Sequence, residues 1–169
     1  MTYSKLDISK AFHEIEERLW EIKDVCDVIY VSKSITGFDE YIKVQLINPL
    51  PSETNLMREY KGFDIRYDIL NGDYRSYANP ELTRKWCESG KQRYYALRTV
   101  TSFQEAYGNR NTLESCLGWT EDISEYYIRA FVNDKLFGTI LLPDKYNGFR
   151  VSKEPIAEED FESFYRDDD

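Results

Sequence analysis

Apolar and polar positions alternate most cleanly from Tyr126 to Leu142, YYIRAFVNDKLFGTILL. Tyr126, Ile128, Ala130 and Val132 share one face of a strand, and Leu136, Gly138, Ile140 and Leu142 repeat the alternation after the turn formers Asn133-Asp134-Lys135. A three-residue loop puts both apolar sets on one face, opposing Val132 with Leu136 and Ile128 with Ile140. The pattern therefore predicts a central β-hairpin in that register. Gly138 would leave room on the buried face for an aromatic ring.

The remaining pattern surrounds this hairpin. Ile8, Phe12, Ile15, Leu19 and Ile22 recur at helical spacing and predict an amphipathic helix over Ser9 to Lys23, capped by Asp7 or Ser9, with Glu14, Glu16 and Glu17 outside and Trp20 at the stripe's edge. Val25 to Val31 and Tyr41 to Ile47 read as strands joined by a loop broken at Gly37. Gly62 to Leu70 reads as a third strand. Asn71-Gly72 is the strongest short hairpin signal, and would return a fourth strand with Asp68 opposite Arg75 and Arg66 opposite Tyr77, ending before Ala78.

Asn79-Pro80-Glu81 starts a helix that Gly90 ends, with Leu82 and Trp86 on one face. Tyr94 to Val100 reads as a strand on the β-propensity of its rings. Ser102-Phe103-Gln104-Glu105 fits a capping box for a turn or two before Gly108, and Thr112 to Leu117 reads as a short helix. Phe149 to Val151 reads as a short edge strand. A last helix follows over Ala157 to Tyr165, with Phe161, Phe164 and Tyr165 on one face, and residues 166–169 fray. No internal repeat is legible. The expectation is a single α+β domain over residues 1–165, an antiparallel sheet of about five to seven strands with the first helix across one face and short helices at the periphery.

Composition and charge narrow the function classes. The 169 residues are 41% hydrophobic and 15% aromatic, including fourteen Tyr, which suits a folded core. No stretch approaches the roughly 20 apolar residues that span a bilayer, and the charged start has no apolar signal segment, so a cytoplasmic location is expected. Cys26, Cys87 and Cys116 lack paired spacing and read as reduced thiols. The net charge is −9. From Glu154 to Asp169 there are eight acidic residues and one Arg, which leaves the first 153 residues nearly neutral. Residues 84–98 are locally basic, so the acidic end can meet that segment or a partner.

The chemistry-bearing patterns are sparse. Glu59-Tyr60-Lys61 with Asp39 upstream is the one enzyme-like set, since two carboxylates and a lysine can hold Mg²⁺ and activate water in a nuclease-like site. Asp64 and Asp68 fall together on the outer face of their strand. His13, the single histidine, lies among helix glutamates and supplies neither a zinc site nor a catalytic triad. No phosphate-binding glycine motif is present, and no cofactor is implied. The charge balance disfavours direct nucleic-acid binding, although Tyr94 and Tyr95 in the basic segment are of the kind that stacks on bases.

What remains is acid plus rings. The expected function is that of a non-enzymatic cytosolic binding or inhibitor protein, by analogy of composition an immunity protein that neutralises a bacterial toxin. Such a toxin could be a basic nuclease, occluded by an acidic, Tyr-rich surface. Glu158, Glu159, Asp160, Glu162, Tyr126 and Tyr127 are the candidate contacts, and the expected partner is a basic protein, with no membrane. The alternatives are a metal-dependent nuclease or hydrolase using Asp39, Glu59 and Lys61, and a phage or mobile-element inhibitor or assembly protein.

Overall fold

A computed structural model describes residues 5–32 and 40–163, with side chains over 8–32 and 40–161. The fold is α+β, and the chain divides into two compact units, Met1–Lys91 and Gln92–Asp169. The first unit runs α1 (Lys5–Leu19), β1 (Val25–Ser32), β2 (Glu40–Leu46), β3 (Glu59–Tyr60), β4 (Phe63–Ile69) and α2 (Pro80–Glu88). Its strands lie in the order β1-β2-β4-β3. β1 and β2 are antiparallel, β2 and β4 parallel, and β3 and β4 form a tight hairpin. Lys61 and Gly62 both have positive φ, 48° and 87°, the turn whose twist matches its flanking strands. Ala11, Ile15 and Leu19 recur every fourth residue along α1 and are buried, as are Ile42, Val44 and Leu46 at every second residue of β2. Asn79 Oδ1 accepts from the Leu82 N–H at 3.1 Å and caps α2, as its sequence predicts.

The second unit has α3 (Gly90–Tyr107, whose first two residues fall in the first unit), β5 (Leu113–Trp119), β6 (Tyr126–Asn133), β7 (Lys145–Tyr146), β8 (Phe149–Ile156) and α4 (Glu158–Ser163). Its sheet order is β5-β6-β8-β7, with β5 and β6 antiparallel, β6 and β8 parallel, and β7 and β8 antiparallel. Val100 and Phe103 of α3 pack with Leu113, Ile128, Ala130 and Val132 into one core, against which Tyr146, Phe149 and Val151 close. None of the three cysteines forms a disulfide, and Cys26 and Cys87 are buried. Among the described residues no helix is long and apolar enough to cross a membrane.

The α+β class holds, but the expected single antiparallel sheet of five to seven strands is replaced by two mixed four-stranded sheets. The central hairpin survives only as its first arm. Tyr126, Ile128, Ala130 and Val132 are buried as predicted, but both edges of β6 are occupied, by β5 and β8, and no edge is left for a returning strand. Asn133 Oδ1 accepts from the Lys135 N–H and the chain winds through turns at Leu136 and Thr139. Gly138 is exposed with nothing within 4 Å of its missing side chain, so no ring fills that position.

The Asn71-Gly72 turn also forms, with φ of 57° and 63°, yet no strand follows it: the chain turns again, with the Tyr77 N–H bound to the Tyr74 carbonyl at 3.1 Å. Tyr74 instead turns into a core cluster with Cys26, Ile47 and Cys87. Asp68 pairs with Lys43 at 3.3 Å and Arg75 with Asp73 at 3.0 Å, in place of the predicted Asp68–Arg75 pair.

Tyr94 to Val100 is helix, part of α3, which also absorbs the predicted capping box. Arg93, Ala96, Val100 and Phe103 are buried at spacings of three and four, a helical period that outweighs the strand propensity of the tyrosines. Gly90 opens α3 directly after α2 rather than a loop. Of the predicted helix Thr112 to Leu117, all but Thr112 belongs to strand β5, where the Ser115 N–H donates to Gln104 Oε1 at 2.8 Å. The short edge strand at Phe149 is the inner, eight-residue β8. The first helix lies earlier than predicted, over Lys5–Leu19, and Phe164, Tyr165 and residues 166–169 fall outside the described residues.

Candidate functional site

The acidic residues proposed for partner contact begin directly after β8, where Glu158, Glu159 and Asp160 form the first turn of α4. Acids at a helix start complement its dipole. Phe161, 3% exposed, anchors this helix, and Glu158, Glu159 and Asp160 are exposed. Glu158 is held by Lys135 at 2.5 Å, a hydrogen bond that raises the lysine above its ordinary pKa. The side chain of Glu162 falls outside the described ones.

The two tyrosines have opposite fates. Tyr126 is 2% exposed, and its hydroxyl receives Arg93 Nη1 at 3.4 Å, so its ring belongs to the core and offers a partner no surface. Tyr127 lies on the outer face of the sheet. The Arg150 guanidinium sits 4.2 Å from its ring centroid and is itself held by Glu125 at 2.8 Å. A Cβ on Gly118, opposite in β5, would stand 2.5 Å from Tyr127 Cε2, so the glycine makes room for that ring. Two positions along β6, Arg129 stacks on Phe131 at 4.7 Å and binds Glu154 through two hydrogen bonds, which hold the carboxyl below its ordinary value of 4.5.

Tyr127 and the α4 acids are not neighbours. Tyr127 is near the start of β6, whereas α4 follows the end of β8 beside Asn133. Six strand residues separate those levels, roughly 20 Å at the usual rise per residue. The sequence missed Arg150 and Gly118 as the supports of Tyr127. The alternation of Tyr127, Arg129 and Phe131 carried a signal for the face, but the supports come from other strands.

The nuclease-like set comes together only in part. Asp39 falls outside the described residues. Glu59 is exposed on β3. Lys61 occupies the positive-φ turn, and its ammonium binds Glu14 Oε2 at 2.6 Å, which also accepts from the Tyr60 hydroxyl at 2.9 Å. These bonds lower the pKa of Glu14 and raise that of Lys61. Asp64 is taken by Arg66 and Asp68 by Lys43. Among the described residues no group of three His, Cys, Asp or Glu is placed to hold a metal ion. His13 is exposed and faces Glu16 at 3.6 Å, a solvated helix position as predicted.

No known family model, curated protein or solved structure matches the chain. In the basic middle segment, Arg84 is paired with both Glu81 and Glu88, Lys91 with Glu21, and Arg98 donates to the hydroxyl of the buried Tyr94 at 2.8 Å, whereas Tyr95 is exposed.

Proposed function

We propose that this chain is a non-enzymatic binding protein of the cytosol, an inhibitor of the immunity type that covers the active-site cleft of a basic protein such as a toxin nuclease. A contrast within the chain carries the reading. α2 and α4 each follow the last strand of a four-stranded sheet of the same order. In α2 two acids are balanced by Arg84 and Lys85, and one first-turn acid, Glu81, serves the helix dipole. α4 carries Glu158, Glu159, Asp160 and Glu162 with no basic residue. Helix formation in this setting does not require that excess of acid, so a role outside the fold accounts for it. Exposed like charges speed encounter with a basic surface and are screened by salt. Tyr127, braced by Gly118 and Arg150, is a second and separate candidate contact, of the residue type that anchors protein interfaces.

The test is capture from the native host's cytosol with the full chain and with Glu159→Lys/Asp160→Lys, each checked for folding by circular dichroism. The expected result is one basic protein retained by the parent chain. Its association rate should fall about tenfold or more with the charge-reversed chain at low salt, with the gap closing as salt rises. An unchanged association rate, or no partner for either chain, would overturn the proposal.

A further inference from the structure

The two sheets repeat each other residue by residue. In the first sheet Ile42 pairs with Ile65 and Leu46 with Ile69; in the second Ile128 pairs with Val151 and Val132 with Pro155. One constant shift of 86 positions converts the first set into the second. The same shift carries Tyr60-Lys61-Gly62-Phe63 onto Tyr146-Asn147-Gly148-Phe149, two turns of one geometry, with φ of 48° and 87° in the first and 47° and 87° in the second. It carries the Ile65 N–H bond to the Arg58 carbonyl onto the Val151 N–H bond to the Asp144 carbonyl, both at 2.9 Å. It also carries the Lys43–Asp68 ion pair onto Arg129–Glu154.

The helices obey nearly the same rule. The Tyr60 hydroxyl donates to Glu14 in α1, and the Tyr146 hydroxyl bonds Ser102 in α3, which stands 88 positions further on. The Ile47 N–H binds the Asp24 carbonyl and the Asn133 N–H binds the Thr112 carbonyl. Even a diverged position keeps its task. Tyr67 donates to the Met57 carbonyl, and its counterpart Lys153 donates to the Phe137 and Ile140 carbonyls, so each pins the long connection of its own unit.

A shared topology alone would fix the buried positions. It would not fix which exposed side chains pair, because such pairs contribute little to stability and many others would serve. We propose that the chain is a tandem duplication of one module, the copies corresponding over residues 5–69 and 91–155, and that each copy completes its own hydrophobic core. This rests on topology and pairing and stands apart from the binding reading.

The test is a pair of chimeras in the full chain. One replaces residues 58–65 with 144–151, and the other replaces them with 145–152, one position out of register. A shift of one sends every side chain of the strand to the opposite face. The matched chimera should keep near-ultraviolet circular dichroism and melt within about 10 °C of the parent, and the shifted one should lose both. Loss in both chimeras, or equal tolerance of both, would overturn the equivalence. Hydrogen exchange on the full chain checks the separate cores: Ile42→Ala should raise exchange in β1, β2 and β4 and Ile128→Ala in β5, β6 and β8, whereas the same rise across all six strands in both variants would overturn that part.

Discussion

Replacing Gly90 with Ala is the change at which helix propensity and geometry make opposite forecasts. Gly90 is the first residue of α3, where propensity alone favours Ala by up to about 1 kcal/mol. The added methyl carbon would stand 2.5 Å from the Cys26 carbonyl oxygen and 2.9 Å from Trp20 Cζ3. The first is backbone of β1 at a buried bulge residue, held on either side by the Val25–Leu46 and Asp27–Gln45 pairs, and the second belongs to a ring that is 4% exposed. Neither can swing aside, so the cost falls at the upper end of the overpacking range, about 3 kcal/mol. Subtracting the propensity gain leaves a net loss of about 2 kcal/mol. Urea unfolding followed by tryptophan fluorescence measures it, because Trp20 and Trp86 both report on this unit. Gly138→Ala is the control, since nothing lies within 4 Å of its added carbon, and it should change stability by no more than about 0.5 kcal/mol. A Gly90→Ala chain as stable as the parent, or more so, would refute the reasoning.

Two further outcomes follow from the described contacts. Asn79→Ala removes the side-chain acceptor for the Leu82 N–H and should cost about 1 kcal/mol in the same assay, with Asn79→Asp close to the parent. Arg129 holds the carboxyl of Glu154 below 4.5, so their bond contributes stability above that pH and loses it as pH falls through the lowered folded value. The partners are 38% and 35% exposed, which limits the contribution to about 0.5–1 kcal/mol. Glu154→Gln should therefore be less stable than the parent at pH 6, with the gap closing as pH falls through the lowered folded value. A gap that persists at the lower pH would assign the loss to packing.

The elements set by local pattern were legible in the sequence. The stripe of Ile15 and Leu19, the alternation of Ile42, Val44 and Leu46, the buried face of β6 and the Asn79 cap all stand where their spacing puts them. The pairing of distant strands was not. β2 and β6 take parallel partners that lie across a long connection, and nothing at Asn133 announces that both edges of β6 are already filled. The tyrosines of α3 misled through their strand propensity, and Thr112 to Leu117 is too short for periodicity to decide. Of the site, the exposure of the α4 acids was readable from charge, whereas the burial of Tyr126 and the bracing of Tyr127 depend on Arg93, Gly118 and Arg150, which come from other elements. The repeat was hidden because core positions drifted while the turn Tyr-x-Gly-Phe and one ion pair stayed.

The parallel seam also has a kinetic meaning. Each sheet consists of two antiparallel pairs joined only along β2–β4 or β6–β8, where the paired residues stand 23 positions apart in the chain in both units. The tight hairpins close a loop of a few residues and can form within microseconds, whereas the seam must wait for the whole connection to be brought round. The rate-limiting step of folding is expected to be the zipping of that seam, once in each unit. The same line should be the first to part when either sheet is pulled open from its strand ends.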